Sequence, residues 1–177
     1  MTSDKSAPIV VDASVAIAIC IEEPGFEWAV RLLRERGADG KILVPAFFWL
    51  EILNVLITRY RQPPGLVLQS IVDLESFELT SVELDRPQVL LTLDVMGRHG
   101  LSGYDAAYLA LAESADAALL TFDHRLTAAA GPRALGPGPA HAIEESPETY
   151  APSWADWPGA AAYLRQLRAQ VVRQSTG

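Results

Sequence analysis

The chain has 177 residues, half of them hydrophobic, and a formal net charge of -8 at pH 7. This length fits one ordinary domain, and the composition excludes a chain that is disordered over most of its length. The acidic balance argues against binding of nucleic acid through a broad basic face. It does not exclude a nuclease, because bound cations would offset the charge of clustered catalytic carboxylates.

Cysteine usage and hydropathy indicate a cytoplasmic protein. The single cysteine, Cys20, cannot form an internal disulfide, and the three histidines give no Cys/His cluster with zinc spacing. The first residues lack the basic segment of a secretion signal, and no apolar run approaches the roughly 20 residues of a membrane span. We therefore expect a reducing compartment and no contact with a membrane.

Segments with strand and helix patterns alternate along the chain. Strands are predicted at 8–12, 41–44, 78–82, 117–122 and 140–143, and helices at 15–21, 26–36, 46–60, 66–74, 89–99, 103–114, 125–130 and 159–172. This order predicts an α/β fold, a three-layer α/β/α arrangement with a central parallel sheet. Ser14 is expected to cap the first helix and Ser102 the helix 103–114. Residues 1–140 form the predicted domain and 141–177 an extension, whose final helix packs on the domain or on a partner.

Two strands with continuous apolar patterns each end in an aspartate. Asp12 closes the run P-I-V-V-D, and Asp123 follows the strand at 117–122. In open parallel sheets, ligands bind beyond the carboxyl ends of the strands. Both aspartates are therefore expected at the edge of the sheet where chemistry is usually done.

Two further acids lie near the start of helices that leave strand ends. Glu51 belongs to a helix that is apolar nearly all round, where Glu51, Asn54 and Thr58 form a single polar stripe. Asp105 stands three residues after the predicted cap Ser102. Convergence of Asp12, Glu51, Asp105 and Asp123 would give an oxygen-only donor set, which suits Mg2+ or Mn2+. Such a site serves phosphodiester cleavage.

Each of these residues also has a structural interpretation. Asp12 and Asp123 fit the caps of the helices that follow them, and Asp105 completes a capping-box pattern, S-x-x-D. Ser14 and Thr121 lie two residues from an aspartate, as supports of a site or as ordinary cap and strand residues. Asn54, one turn from Glu51, is a further supporting candidate.

The ordered motifs V-V-D-A-S-V, E-I-L-N-V-L, Y-D-A-A-Y-L-A-L-A and L-L-T-F-D-H-R-L resemble the PIN-domain family, especially the VapC-type toxins of bacterial toxin–antitoxin systems. The match covers about residues 8–130. By this resemblance Asp12, Glu51, Asp105 and Asp123 correspond to the family's acidic metal site, with Ser14 and Thr121 as supporting polar positions. The resemblance implies a Mg2+-dependent endoribonuclease that an antitoxin protein holds in check. The segment from about residue 140 departs from the family, whose toxins usually end soon after the final strand.

Two other functions stay open from the sequence. An aspartate-dependent phosphatase or phosphotransferase would use Asp12 as nucleophile, but it usually has a second aspartate at the position of Ser14 and a lysine near the site. A catalytically inert PIN-like binding or regulatory module would use the apolar helix 46–60 as an interaction surface. That helix is also the candidate interface of a homodimer. Arg59, Arg61 and Arg125 are candidate contacts to the RNA backbone or ordinary surface charges.

Overall fold

The computed structural model describes residues 7–37 and 41–136 of the chain. Its strands are β1 (Ile9–Val11), β2 (Ile42–Pro45), β3 (Thr80–Val82), β4 (Ala118–Leu120) and β5 (Ala134–Leu135). Its helices are α1 (Ala13–Cys20), α2 (Phe26–Gly37), α3 (Phe48–Thr58), α4 (Pro64–Glu75), α5 (Arg86–His99), α6 (Gly103–Ser114) and α7 (His124–Ala130). A short 3-10 turn at Gly131–Arg133 connects α7 to β5.

The strands form one parallel sheet in the order β3-β2-β1-β4-β5. The chain first adds β2 and β3 on one side of β1, and then adds β4 and β5 on the other side. Because crossovers between parallel strands are right-handed, this reversal distributes the helices over both faces of the sheet. The predicted three-layer α/β/α fold with a central parallel sheet is confirmed.

The core lies on both faces of the sheet. Every residue of β1 is at most 1% exposed, as expected for a central parallel strand that is covered on both faces. The segment 106–112 of α6 is buried throughout, and this helix contacts β1, β2 and β4. No helix in the described part of the chain has the length and hydropathy to cross a membrane.

Helix ends follow the local signals of the sequence. Ser102 caps α6 as predicted, since its Oγ accepts a hydrogen bond of 3.2 Å from the backbone N–H of Asp105. Asp85 caps α5 through a 2.9 Å bond from the N–H of Gln88, which confirms the helix start that Asp85 and Pro87 predict ahead of the segment 89–99. Gly100 ends it in the left-handed conformation, at φ 64°.

The expected cap of the first helix was wrong. Asp12 occupies the N-cap position of α1 but makes no side-chain cap bond, and Ser14 lies inside the helix. Its hydroxyl is turned to Asp12 and to the backbone of Phe122. Ser14 therefore connects the residues that follow β1 and β4. A helix signal read from neighbouring residues cannot reveal this contact.

The closing strand also differs from the prediction. The sequence predicts no strand between residues 122 and 140, yet Ala134 and Leu135 pair with β4. Two residues suffice for an edge strand when the neighbouring strand is already in place. The predicted strand at 140–143, the helix at 159–172 and the boundary at residue 140 lie outside the described residues.

We expect the Leu119→Ala variant to lower the free energy of unfolding by about 2–5 kcal/mol, because the shorter side chain leaves a cavity in the core that the surrounding residues cannot fill. Leu119 is 0% exposed in the central strand β4. The matched control is Leu93→Ala on α5, where the side chain is 63% exposed and a change within about 0.5 kcal/mol is expected. Urea unfolding measures both values, and equal losses would contradict this description of the core.

Candidate active site

The carboxyl ends of β1 and β4 are neighbours at the point where the strand order reverses. Asp12 follows β1 directly, and its backbone N–H donates a 3.0 Å hydrogen bond to the carbonyl of Leu120, the last residue of β4. Asp123 comes three residues after Leu120. Ligands of open α/β sheets bind at this kind of switch point. The topology therefore brings both strand-end aspartates to the edge that the sequence predicts.

The Asp12 side chain is buried, with 5% of its surface exposed. Its Oδ2 accepts hydrogen bonds from Oγ of Ser14 and, at 2.8 Å, from Oγ1 of Thr121. Burial raises the pKa of Asp12 to about 6 against the opposing effect of the two hydroxyls, and the negative charges of Asp105 and Asp123 raise it further. Asp12 thus lies within electrostatic reach of two of the other predicted acids.

The two hydroxyls also hold the segment that leads to Asp123. Ser14 Oγ accepts a 3.0 Å hydrogen bond from the N–H of Phe122, and Thr121 Oγ1 accepts one of 3.0 Å from the N–H of Asp123. Because each hydroxyl accepts from the backbone, its own proton is directed to Asp12. The supporting positions of Ser14 and Thr121 therefore join β1, α1 and the end of β4 around one carboxylate.

Asp105 and Asp123 each make a hydrogen bond at the start of a helix, and the charge of each also acts on Asp12. Asp123 caps α7, where its Oδ1 accepts a 2.6 Å hydrogen bond from the N–H of Leu126. Asp105 accepts a 2.7 Å bond on Oδ2 from the hydroxyl of Ser102. The cap interpretation and the site interpretation of these two residues are thus compatible, because each bond engages one carboxylate oxygen.

Glu51 reaches the same region from the first turn of α3. The phenol of Tyr108 on α6 donates a 2.8 Å hydrogen bond to its Oε2. Burial raises the pKa of Tyr108 well above its usual range, and the charges of Asp12 and Glu51 raise it further. The two acids therefore act on one phenol, which connects Glu51 to the group around Asp12.

Tyr108 was missed by the sequence analysis. It is 0% exposed and stands three residues after Asp105, on the same side of the same helix. That spacing was the available signal, although a buried tyrosine is far more often a core residue.

The remaining candidates, Asn54, Arg59, Arg61 and Arg125, are exposed. Asn54 is exposed, and its backbone carbonyl accepts a bond from Thr58. Arg125 donates to the carbonyl of Gly100 at 3.3 Å, and the Arg59 guanidinium lies 5.4 Å from the ring centre of Tyr60. Arg61 is exposed at the residue after Tyr60, with φ 51°. Their roles in supporting the site or contacting RNA stay predictions.

The donor set fits a hard divalent cation. Within residues 7–37 and 41–136, no three Asp, Glu, His or Cys side chains are already arranged to hold a metal ion. Mg2+ keeps several waters and needs few direct carboxylates, so a looser group of acids suits it. A cation would also offset the burial and the neighbouring negative charges that together raise the pKa of Asp12. Ligation by Asp12, Glu51, Asp105 and Asp123 stays a prediction.

The raised pKa of Asp12 predicts a pH dependence of stability in the metal-free protein. Its ordinary value is 3.8 and its value in the fold is about 6, so the folded protein binds the proton more tightly. The resulting stabilisation is present at low pH and is lost as the pH rises from about 4 through 6, by at most about 3 kcal/mol.

We therefore expect the stability of the Asp12→Asn variant not to fall between about pH 4 and 6, and to exceed that of the original chain above about pH 7. Urea unfolding at a series of pH values, with a chelator present, measures both effects. Asp116→Asn is the control, because that side chain is 98% exposed before β4. An unchanged slope in Asp12→Asn would contradict the proposed environment of the carboxylate.

Comparison with known proteins places this chain in a family. The family model described as PIN domain matches residues 9–132. Among similar solved structures, PAE2754 from Pyrobaculum aerophilum has 25% sequence identity and a TM-score of 0.56, and the match covers 74% of this chain and 84% of that one. A toxin–antitoxin complex from Klebsiella pneumoniae has 14% identity and a TM-score of 0.56, with coverage of 72% of this chain and 95% of that one. VapC20 of Mycobacterium tuberculosis, a toxin that cleaves the sarcin–ricin loop, has 18% identity and a TM-score of 0.55, with coverage of 68% of this chain and 94% of that one. No curated protein matches the sequence. The predicted family is confirmed: this chain belongs to the PIN-domain family.

Proposed function

We propose that this protein is a Mg2+-dependent endoribonuclease that cleaves RNA phosphodiester bonds and acts as the toxin of a toxin–antitoxin pair. Membership of the PIN-domain family supports a nuclease, and two of the similar structures are described as toxins. The observation that carries the proposal is a set of hydrogen bonds at the carboxyl ends of β1 and β4: the N–H of Asp12 bonds the carbonyl of Leu120, and the N–H of Asp123 bonds Thr121, whose hydroxyl bonds Asp12. Tyr108, one turn after Asp105 on α6, bonds Glu51. These contacts support a site in which the four acids lie together.

Each acid has a distinct role in this proposal. Asp12, Asp105 and Asp123 would hold the Mg2+, and Glu51 would bind it directly or through a water. Mn2+, with similar ligand preferences, is expected to substitute. When bound, the metal supplies an activated water and offsets the charge on the scissile phosphate.

The protein's own contribution is to fix the direction of the carboxylates. In the described part of the chain both hydrogen bonds to the Asp12 side chain go to Oδ2, which leaves Oδ1 as the oxygen available to a cation. Asp105 and Asp123 are partly exposed, and each has one oxygen engaged by its cap contact. Asp12 is thus the buried ligand of the proposed site, and Asp105 and Asp123 are accessible to a cation that also meets the substrate phosphate.

Two features weigh against phosphotransfer through Asp12. The second position of such a site is held here by Ser14, whose hydroxyl bonds Asp12 itself. Lys41 precedes β2 and so lies toward the amino ends of the strands, away from the acids. Lys5, the other lysine of the chain, lies outside the described residues.

An antitoxin and a second copy of the chain are the proposed protein partners. Exposed apolar side chains large enough to contribute to such interfaces lie on α4 and α5 more than on the expected α3. These side chains are Leu66, Leu68 and Val72 on α4 and Val89, Leu90, Leu91 and Leu93 on α5, with Leu50 on α3.

The function is tested with aspartates at opposite ends of β4. Asp123→Asn keeps a side-chain oxygen that can cap α7 but removes the negative charge, so we expect RNA cleavage with Mg2+ to fall by roughly a hundredfold or more. Asp105→Asn is expected to act alike. Asp116→Asn, exposed at the other end of β4, is the matched control and should cleave as the original protein does.

Cleavage of a defined RNA and inhibition of growth on expression measure the effect, with a chelator as the metal-free reference. Full cleavage by both Asp105→Asn and Asp123→Asn would refute the site. Absence of both cleavage and Mn2+ binding in the original protein would favour the inert binding module.

A further inference from the structure

Tyr108 places a hydroxyl at a position of the core that an apolar ring would fill equally well. The side chain is 0% exposed in the middle of α6, and its O–H donates a 2.8 Å hydrogen bond to Oε2 of Glu51, which is 57 residues away in the chain. A buried phenol must find a partner, and here the partner is a carboxylate. Hydrogen bonds to a charged acceptor are about twice as strong as neutral ones.

The ring of Tyr108 is fixed against the residue that precedes α3. Phe47 meets it edge to face, with ring centres 5.4 Å apart and an angle of 78° between the planes. Phe47 occupies the N-cap position of α3, and Glu51 lies one turn further along that helix. The aromatic contact therefore sets the distance between the two helices at the point where the phenol meets the carboxylate.

The same arrangement recurs at two of the other three acids, Asp12 and Asp105. One oxygen of Asp12 accepts hydrogen bonds from the hydroxyls of Ser14 and Thr121, and one oxygen of Asp105 accepts a hydrogen bond from the hydroxyl of Ser102. At each of these carboxylates the protein engages Oδ2. Groups that hold metal ligands in this way commonly change metal affinity by 10- to 100-fold when they are removed.

We infer that Tyr108 is a positioning residue of the metal site: its O–H holds Glu51 by Oε2 and so fixes the direction in which this carboxylate meets the cation. The inference rests on the proposed function. Tyr108 itself touches neither metal nor substrate in this role.

The test is the affinity of the full chain for Mn2+, measured by calorimetry. Tyr108→Phe keeps the ring and its contact with Phe47 but removes the O–H, and we expect about tenfold weaker binding. Tyr104→Phe is the matched control, because that tyrosine is on the same helix, meets Phe47 at 5.3 Å and is 62% exposed. Its Mn2+ affinity should not change.

A double-mutant cycle separates this role from simple packing. If Tyr108 acts through Glu51, then Tyr108→Phe should have no further effect on Mn2+ affinity once Glu51→Gln is present. Equal affinity of Tyr108→Phe and the original protein would overturn the inference while leaving the metal site intact. Absence of Mn2+ binding in the original protein would instead refute the proposed function.

A second measurement keeps the phenol in place and so does not depend on the folding of Tyr108→Phe. With a ring-fluorinated tyrosine at position 108, the fluorine NMR signal should shift when Mg2+ is added and should stay unmoved in the Glu51→Gln background. A fluorine chemical shift that does not change with Mg2+, in a protein that binds the ion, would show that Tyr108 is only a core residue.

Discussion

The structure depends on a carboxylate that is buried at the end of its central strand. Asp12 is almost fully enclosed, and this location costs free energy, because ionised groups lose their hydration on burial. Two hydroxyls, from Ser14 and Thr121, offset part of that cost and at the same time bond the backbone that leads to Asp123. The raised pKa of Asp12 shows that the offset is incomplete, and a bound cation is the group that would complete it.

The topology brings Asp12 and Asp123 to one edge of the sheet although they are far apart in the chain. The strand order reverses between β1 and β4, and ligands of open α/β sheets bind at the carboxyl ends of the strands at such a point. Asp12 and Asp123 follow those two strands, and α3 and α6 add Glu51 and Asp105 from their first turns. A sheet of this order concentrates negative charge at one edge while the buried strands remain entirely apolar.

Local signals in the sequence were sufficient for every described element except β5 and the short 3-10 turn before it, and for the four acids as candidates. The cap Ser102 gives the start of α6 because capping depends on neighbours within one turn. The cap expected of Ser14 was wrong, and Tyr108 was missed, because their partners Phe122 and Glu51 are 108 and 57 residues away. Contacts at such separations are determined by the packed fold. The short strand β5 was missed because its pairing comes from the neighbouring strand β4 and little from its own residues.

The central claim is that Asp12, Glu51, Asp105 and Asp123 form one metal site. The most direct measurement is X-ray diffraction from crystals soaked in Mn2+, with anomalous difference density used to locate the ion. We expect a peak at the carboxyl ends of β1 and β4, within coordination distance of Asp12 and at least one other of the four carboxylates. An ion that binds elsewhere, or crystals that take up none at millimolar Mn2+, would contradict it.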